Sequence, residues 1–399
     1  MLEKNGAARG RMTGPSPNSR SSAVDWRSLS ASETEPTPSF QNGSASRALF
    51  LPDYSESNPY QRLLATGLAE EGVRVDYAGI AALFPFPILA AWLARGCPGV
   101  VHIHWTHEFL GVTSTSDTRP LARARFFGQL RLLRRLNVRI VWTLHNLGAH
   151  EGGHGPSERA AHKRLIALAD AVICHCSAAR DSAISAFELG PRDRDKLHVI
   201  PHGNYAGVYP DTIDRATARR RLALPMDARV FLFIGALRGY KGLEELIDAF
   251  RAVPEPEARL IVAGMPNGES VAASLGRAAA ADSRISLRLE FLPPEELQVY
   301  LRACDLVVLP FRDILTSGSA ILALSFGRPV IAPSLGCLPE TIPADAGLLY
   351  DPNSPGALAE TMRKAMSTNL VPMEFEARFR ANELAWRPIA AKTAALYRG

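Results

Sequence analysis

The feature that most constrains this sequence is an alternation of short apolar runs with helix-like segments, repeated in two series. After Arg47 the apolar runs are ALFLP, VRVDYAG, GVVHIHW, VRIVWTLHN, DAVICHC and KLHVIPHGN. After the charged segment TARRRLAL they are RVFLFIGAL, ARLIVAGMP, ISLRLEFLP, DLVVLPF and RPVIAPS. Apolar runs separated by helices are typical of parallel sheets that are covered on both faces. The pattern therefore predicts an α/β protein with two Rossmann-like domains.

The chain length fits the same organisation, because 399 residues are too many for one ordinary core. Residues 1–46 are rich in Ser, Gly, Pro and Asn and lack both apolar periodicity and the apolar core of a signal peptide, so we expect a disordered tail there. The N-terminal domain is predicted at 47–204 and the C-terminal domain at 205–374. Residues 375–399 are predicted to form a helix that returns to the N-terminal domain.

Composition and charge exclude several classes of protein. Hydrophobic residues make up 47% of the chain and charged residues 21%, which is an ordinary globular balance. The net charge of +5 favours phosphate-bearing partners, but the sequence has no recognisable nucleic-acid-binding motif. The longest apolar stretch, Ala81 to Ala94, is interrupted by Pro85 and Pro87 and is shorter than the roughly 20 residues that a bilayer span needs. We therefore expect neither a transmembrane helix nor a nucleic-acid partner.

The cysteines bear on the redox compartment. They are odd in number and scattered, at Cys97, Cys174, Cys176, Cys304 and Cys337. This usage predicts reduced thiols in a cytoplasmic protein. Alternation along a strand places the side chains of Cys174 and Cys176 on one face and that of His175 on the other, which favours two buried small residues over a metal site.

Two segments in the second series suit a phosphate ligand. The strand FLFIG runs into a glycine-containing turn, Gly235 to Gly242, in which Arg238 and Lys241 can neutralise a diphosphate. The strand DLVVLPF is followed by Thr316, Ser317, Gly318 and Ser319 at the start of the helical AILALSFG. Ligands of open α/β sheets bind beyond the carboxyl ends of the strands, where helix N-termini attract anions. The same residues are also compatible with a turn bearing two solvated cations and with a plain N-cap.

The motifs PHGN, GALRGYKG, DLVVLPFRD, TSGS and FGRPVIAP with LPETI together resemble the donor domain of GT-B glycosyltransferases that build lipopolysaccharides and exopolysaccharides. The resemblance covers nearly all of residues 47–390. It implies two domains with parallel sheets facing across a cleft and closing around a nucleotide sugar. It also implies that Arg238 and Lys241 hold the donor diphosphate, and that Thr316, Ser317, Gly318 and Ser319 bind phosphate or sugar. Gly235, His202 and Glu340 complete the expected donor-binding set.

One departure from the family narrows the resemblance. Retaining members carry two glutamates eight residues apart near this helix, whereas the matching positions here are Ile314 and Leu322, with Asp313 beside the first. The chain is in this respect more similar to bacterial β-mannosyltransferases that build xanthan-like polysaccharides on a lipid carrier. PDYSESNPYQ, HIHW and TLHNLGAHE strengthen that closer resemblance. It implies inversion of the anomeric centre and GDP-mannose as the donor.

Inversion requires a base that deprotonates the acceptor hydroxyl as it attacks. Our preferred base is Glu151, and the resemblance implies that His145 positions the sugar. The other candidates, which lie on the acceptor side, are Asp53, Asn58, Tyr60, His104 and Glu108. An ordinary loop carboxylate remains the alternative for Glu151, and a structural histidine is the alternative for His102 and His104.

We expect no metal. His150 to His154 matches the H-E-x-x-H pattern of zinc proteases, but that pattern works only on a helix, and glycines surround it here. No Asp-x-Asp motif follows a strand. Cationic side chains and backbone N–H groups are therefore expected to neutralise the leaving group.

Two segments are candidates for a membrane contact. Arg123 to Arg135 combines arginines with aromatic residues and leucines at helical spacing, and Ala81 to Ala94 contains Phe84, Phe86 and Trp92. Such a pattern suits an anionic membrane beside a polyprenyl-diphosphate acceptor. An ordinary domain helix, with its apolar stripe packed inward, has the same pattern.

The sequence thus predicts a bacterial, cytoplasmic or peripheral-membrane glycosyltransferase. The resemblance implies that it transfers mannose from GDP-mannose to a lipid-linked oligosaccharide in exopolysaccharide biosynthesis. The alternatives are a retaining transferase or an epimerase that uses a UDP-sugar, and an inactive GT-B module that binds a nucleotide sugar.

Overall fold

The computed structural model of the protein describes residues 46–79, 85–110, 119–148 and 155–399. Six parallel strands form a first sheet, which with its helices is called the N-lobe below. These strands are β1 Ser46–Leu51, β2 Val73–Tyr77, β3 Val100–Ile103, β4 Arg139–Leu144, β5 Ala171–Cys174 and β6 Leu197–Val199. Their order across the sheet is β2-β1-β3-β4-β5-β6.

A second sheet of six parallel strands, with its helices, forms the C-lobe. Its strands are β7 Arg229–Ile234, β8 Ala258–Ala263, β9 Ile285–Arg288, β10 Leu306–Val308, β11 Val330–Pro333 and β12 Gly347–Tyr350. Their order is β12-β11-β10-β7-β8-β9, so the chain reverses its direction of growth between β7 and β10. In open α/β sheets such a reversal opens a crevice at the carboxyl ends of the strands.

Helices connect the strands and cover the sheets. Those between the strands of the first sheet are α1 Pro59–Glu70, α2 Pro87–Ala94, α3 His107–Leu110, α4 Arg119–Arg135, α5 Pro156–Leu168, α6 Ser177–Ala186 and α7 Pro191–Arg194. Those that follow β6 are α8 Arg215–Arg221, α9 Leu243–Arg251, α10 Glu269–Ala279, α11 Leu297–Ala303, α12 Gly318–Ser325, α13 Leu338–Thr341, α14 Ala357–Ser367, α15 Val371–Glu383 and α16 Trp386–Arg398. None of these helices is both long and apolar enough to cross a bilayer.

Burial explains why these segments adopt this arrangement. The strands are covered on both faces, so β7 reads as an almost continuous apolar run, RVFLFI, and five of its six residues are buried. The covering helices are apolar on one side only: α9 buries Leu243, Leu246, Ile247 and Phe250 at helical spacing against this sheet. The predicted α/β class with two parallel sheets is confirmed.

The end of the chain differs from the prediction, because it forms two helices, α15 and α16, separated at Leu384 and Ala385. The second of them packs against α1 of the N-lobe. A methyl group on Gly67 of α1 would lie 2.7 Å from Cβ of Ala390, so the two helices approach closely only because residue 67 is glycine. The edge strand β12 is also absent from the predicted runs, whereas each predicted run contains one of the other strands.

The prediction of reduced cysteines is wrong for one pair. Cys176 and Cys337 form a disulfide whose Cα atoms are 5.5 Å apart, although 161 residues separate them in the chain. Cys174 and Cys304 are buried free thiols, and Cys97 is an exposed one. Odd number and scattered spacing could not reveal the pair, because its partners come from different lobes. Cys176 is also not a strand residue but the N-cap of α6, where its Sγ accepts a hydrogen bond from the backbone N–H of Ala179.

Candidate active site

Histidines follow four neighbouring strands of the N-lobe sheet. His104, His145 and His175 come directly after β3, β4 and β5, and His202 follows shortly after β6. Because the strands are parallel, all four residues lie at the same edge of the sheet. The ring centroids of successive members are 5.8, 5.3 and 5.3 Å apart. With His102 on β3 they are called the histidine cluster below.

Tyr60, at the start of α1, lies at the centre of the histidine cluster. Its ring centroid is between 4.7 and 5.7 Å from those of His104, His145, His175 and His202. Tyr60 is buried because these rings and Trp386 enclose it. The tyrosine expected on the acceptor side is thus a packing centre for the histidines.

Burial keeps these imidazoles uncharged. Desolvation disfavours the protonated form, and it lowers the pKa of His102 to about 3, that of His175 to about 4 and that of His202 to about 3. Desolvation, reinforced by the neighbouring imidazoles, holds the pKa of His104 and His145 well below the usual value. At neutral pH this side of the site therefore offers neutral hydrogen-bonding groups rather than cations.

Hydrogen bonds fix part of the histidine cluster. His102 contacts the Tyr397 hydroxyl through Nδ1 at 2.5 Å and the Thr143 hydroxyl through Nε2 at 2.7 Å. His175 Nδ1 donates to the carbonyl oxygen of Ile200 at 3.1 Å. Among the described residues, both nitrogens of His104 and Nε2 of His145 and His175 have no hydrogen-bond partner. His145 in addition stacks on Trp105, with centroids 4.5 Å apart.

The remaining acceptor-side candidates lie after β1, in the case of Asp53 and Asn58, and in the short helix α3 after β3, in the case of Glu108. Asn58 is the N-cap of α1 and accepts from the backbone N–H of Tyr60 at 3.1 Å, so it has a structural task. Asp53 Oδ1 accepts from the backbone N–H and the hydroxyl of Ser55 at 3.0 and 2.7 Å. Glu108 accepts a hydrogen bond from the Tyr54 hydroxyl. Asp53 and Glu108 are exposed. The preferred base, Glu151, lies outside the described residues, as does the whole HEGGH motif.

Three of the predicted donor-side residues converge at the carboxyl end of β7 in the C-lobe. A methyl group on Gly235 would lie 3.1 Å from Ser319 Oγ and 3.6 Å from Lys241 Nζ, so these three residues converge. Gly235 has a φ of 133°, a backbone conformation that L side chains rarely adopt. Glycine therefore permits both the turn and the open space in front of the lysine. Gly235, Lys241 and Ser319 are called the anion cradle below.

The ammonium group of Lys241 is poorly solvated. Its Nζ lies 5.8 Å from the ring centroids of both Phe233 and Phe311. Desolvation and then repulsion from Arg238 lower the pKa of Lys241 to about 8. Among the described residues, no carboxylate forms an ion pair with it. A partly buried cation beside other positive groups is stabilised when an anion binds.

The helix α12 adds to this positive potential. Ser317 is its N-cap and accepts from the backbone N–H of Ala320 at 3.1 Å, and Gly318 and Ser319 form its first turn. The unpaired N–H groups of a helix N-terminus attract anions. Arg238 is exposed beside a cavity of about 270 Å³ that is also lined by Ser270 and Ser274. The N-cap interpretation is correct for Ser317, and it leaves the phosphate interpretation of its neighbours open.

Two predicted donor-side residues, Glu340 and His202, lie at the boundary between the lobes and not at the anion cradle. Both carboxylate oxygens of Glu340 accept from the N-terminus of α6 in the N-lobe, from Ser177 N at 2.9 Å and Ala178 N at 2.8 Å. His202 is buried in the histidine cluster. Both residues line a cavity of about 250 Å³ between the lobes, which Thr316 borders from the C-lobe. A donor role for Glu340 and His202 stays a prediction.

Sequence reasoning missed two residues that shape the cleft. His175 was treated only as part of a Cys-His-Cys triplet, although the histidines of HIHW, TLHN, CHCS and PHGN all follow strands and carry the signal. Tyr205 was missed because nothing in its local sequence marks it. Its hydroxyl lies 3.3 Å from the position of a Cβ on Gly318 and 3.5 Å from His202 Nε2, so it joins the histidine cluster to α12.

Two α/β lobes thus meet at this cleft, one with the partly buried Lys241 ammonium and one with neutral imidazoles. The group 1 glycosyl transferase profile matches residues 214–385 and the glycosyltransferase family 4 profile matches residues 28–204. The chain belongs to the GT-B glycosyltransferases, and it is a hexosyltransferase.

Relatives of known name support this membership. The GDP-mannose:glycolipid 4-beta-D-mannosyltransferase of Xanthomonas campestris pv. campestris is 32% identical over 268 residues, which cover 66% of this chain and 70% of the relative. The D-inositol 3-phosphate glycosyltransferase of Corynebacterium efficiens is 28% identical over 280 residues, or 65% of each chain. The chain therefore spans about two thirds of the length of the curated relatives that it matches.

Solved structures share the fold. Sucrose-phosphate synthase from Thermosynechococcus elongatus superposes with a TM-score of 0.69 at 20% identity, covering 88% of this chain and 98% of the other. Anabaena HepE in complex with UDP-glucose superposes with a TM-score of 0.65 at 17% identity over the same shares. At these identities the likeness establishes the architecture.

The neutral histidine cluster predicts how stability depends on pH. The folded-state pKa of His102, His175 and His202 lies below the ordinary value of 6.5, so the unfolded chain binds protons first as the pH falls. The contribution of these histidines to the free energy of unfolding should be constant above about pH 7. Below about pH 6 it should fall by roughly 1.4 kcal/mol per pH unit for each such histidine, down to about pH 4. Urea unfolding between pH 7 and 5 measures this slope. His175→Gln should reduce it by the contribution of one histidine, and an unchanged slope in this variant would contradict the burial account.

Proposed function

We propose that this protein transfers mannose from GDP-mannose, with inversion, to a lipid-linked oligosaccharide during exopolysaccharide biosynthesis. The observation that carries the proposal is the unpaired Lys241 ammonium, which faces the N-terminus of α12 in the anion cradle. A nucleoside diphosphate leaving group supplies the anion that this geometry lacks. Transfer builds negative charge on the departing diphosphate, and fixed cations and N–H groups stabilise that charge.

The choice of donor draws on the relatives. One relative has GDP-mannose in its name, and a solved neighbour of lower identity holds UDP-glucose. At the positions where retaining enzymes carry two glutamates this chain has Ile314 and Leu322, both partly buried and packed against the core of the C-lobe. Apolar side chains at these positions favour the inverting mannosyltransferase. A retaining transferase or an epimerase using a UDP-sugar is the second candidate, and it is supported by the UDP complex.

The proposed chemistry divides the work between the lobes. On the N-lobe side, Glu151 removes the proton of the acceptor hydroxyl while its oxygen forms a bond to the anomeric carbon from the face opposite the diphosphate. The bond from that carbon to the diphosphate breaks, and its electrons leave with the diphosphate. His145, which stacks on Trp105, orients the sugar as a neutral hydrogen-bonding group. Arg238 and Lys241 neutralise the leaving group without a metal.

The acceptor side requires access to a membrane, and one surface of the N-lobe suits it. Leu132 and Leu136 are about half exposed at the end of α4, beside the exposed Arg131, Arg134 and Arg135. Phe86 and Leu93 add exposed apolar groups on α2, which contacts α4. Arginines interleaved with exposed apolar side chains are typical of helices that lie on anionic lipid. We propose that this surface holds the enzyme at the inner face of the plasma membrane.

The proposed diphosphate role of the anion cradle predicts how the affinity for nucleotides depends on Lys241 and on pH. Lys241→Met should weaken GDP binding by about 10- to 100-fold, because it removes a charge-assisted hydrogen bond. In the unaltered protein the affinity should also fall as the pH rises above about 8, since the free Lys241 then loses its proton. Isothermal titration calorimetry with GDP and UDP between pH 7.5 and 9 measures both effects. Lys364→Met on the exposed face of α14 is the matched control and should bind normally. Equal affinity in Lys241→Met would contradict the diphosphate role.

The proposed role of Glu151 as the base predicts that its substitution slows sugar transfer without weakening nucleotide binding. Glu151→Gln should lower mannosyl transfer by about 10²- to 10⁴-fold and leave the affinity for GDP unchanged, because a positioned base contributes roughly that factor. The assay follows radiolabelled mannose from GDP-mannose into a polyprenyl-diphosphate oligosaccharide. Glu108→Gln serves as a comparison at an exposed glutamate of the N-lobe. Near-normal transfer by Glu151→Gln with a large loss in Glu108→Gln would move the base to residue 108.

The membrane surface predicts a charge-dependent association. The double substitution Arg131→Glu with Arg135→Glu should weaken binding to vesicles of phosphatidylglycerol and phosphatidylcholine by about 100-fold or more, since each cation contributes roughly 1 kcal/mol near such a surface. Co-sedimentation at low salt gives the partition coefficient. Arg363→Glu with Lys364→Glu on α14 changes the net charge equally and should bind as the unaltered protein does. Equal loss in both variants would indicate that net charge alone governs the association.

A further inference from the structure

The disulfide joins the two lobes at the carboxyl edges of their sheets. Cys176 is the N-cap of α6 and follows β5, whereas Cys337 is the residue before α13 and follows β11. The two sulfurs are therefore attached to different sheets, and the bond spans the cleft between them. Both cysteines are nearly fully buried, at 3% and 2% exposed. While the bond is intact, the lobes cannot separate at this point.

The contacts beside the bond are reversible. The Glu340 carboxylate accepts from the backbone N–H groups of Ser177 and Ala178 across the cleft, and these hydrogen bonds are exposed to solvent. Exposed polar contacts of this kind contribute little to holding two bodies together. The disulfide is therefore what makes the contact between α6 and α13 permanent.

The same bond lies next to the proposed donor loop. The backbone N–H of Cys337 donates to the carbonyl oxygen of Leu315 at 2.8 Å, and its Sγ is 3.6 Å from the Thr316 hydroxyl. Thr316 leads directly into the N-terminus of α12. A movement of Cys337 away from the N-lobe thus alters the space through which a nucleotide sugar reaches the anion cradle.

We propose that the Cys176–Cys337 disulfide is a redox-controlled latch on the donor cleft. When the disulfide is oxidised, it holds the lobes together and nucleotide entry is slow. When it is reduced, the cleft can open. This inference rests on the proposed function, since a nucleotide sugar must enter the cleft and a nucleoside diphosphate must leave it in every turnover. A protein that uses nucleotide sugars in the cytoplasm works in a reducing compartment, where disulfides are usually transient and redox-sensing.

The exchange is ordinary thiol–disulfide chemistry. A thiolate of a dithiol reductant attacks one sulfur and forms a mixed disulfide, and the other cysteine leaves as a thiolate. The second thiol of the reductant then attacks the mixed disulfide, so the reductant becomes a disulfide and both cysteines become thiols after protonation. Glutathione disulfide drives the reverse reaction and is itself reduced to two thiols. The interlobe cavity of about 250 Å³ borders Cys337 and gives a small reagent a way to approach it.

The first test measures opening without any substrate. The full-length protein is prepared with glutathione disulfide or with dithiothreitol, and its thiols are counted by alkylation in denaturant and intact mass. The oxidised form should carry three reactive thiols and the reduced form five, because two of the five cysteines are in the bond. Hydrogen exchange at the amides of Ser177 and Ala178 should then be at least tenfold faster in the reduced form. Equal exchange in two forms with different thiol counts, or five thiols after oxidation, would overturn the latch.

The second test measures nucleotide entry. Stopped-flow binding of fluorescent GDP and UDP analogues should be at least tenfold faster with the reduced protein than with the oxidised one. Cys176→Ser should be fast under both conditions, and serine is a good N-cap, so this variant keeps the start of α6. Cys97→Ser removes the exposed free thiol and should behave as the unaltered protein does. Equal rates in both redox forms would overturn the latch, whereas no binding in either form, with faster amide exchange on reduction, would contradict only the proposed function.

Discussion

The site depends most on one interaction that is unfavourable without a ligand: the Lys241 ammonium lies close to the N-terminus of α12 and has no carboxylate partner in the described part of the chain. Parallel strands make this possible, because the loops after β7 and β10 end at the same edge of the sheet. Packing against Phe233 and Phe311 keeps the Lys241 side chain beside Gly235 and Ser319 instead of in water. A bound anion would relieve the repulsion, which is the basis of the proposed diphosphate site in the C-lobe.

The N-lobe, in contrast to the C-lobe, has uncharged imidazoles at its sheet edge. Its histidines are too deeply buried to carry charge, and three of them, His102, His175 and His202, form hydrogen bonds with fixed partners within the protein. The neutral imidazoles packed around Tyr60 give the N-lobe side of the cleft an uncharged surface. The C-terminal helix α16 contributes to this packing, because Tyr397 contacts His102 and Trp386 contacts Tyr60. The end of the chain thus supports the active site of the lobe formed by its beginning.

Most of the fold could be predicted from the sequence, since each strand of a doubly covered sheet is a short apolar run with turn residues after it. The edge strand β12 was not predicted, because its sequence GLLY is short and follows a loop rather than a clear helix. The anion cradle was also predictable, because Gly235, Lys241 and Ser319 lie in motifs with a local physical meaning. The disulfide, the contact of Glu340 with α6 and the position of Tyr205 were not, because each depends on how the lobes meet. No local pattern encodes an approach between residues 161 positions apart.

The central claim is that the anion cradle holds the diphosphate of a nucleotide sugar, and a crystal structure of the protein with GDP tests it most directly. The account predicts diphosphate oxygens within about 3 Å of Lys241 Nζ and of a backbone N–H group in the first turn of α12, which is the usual distance for such hydrogen bonds. Gly235 should then lie against the same phosphates. A diphosphate bound elsewhere on the protein, with Lys241 and Ser319 free of contact, would contradict the account.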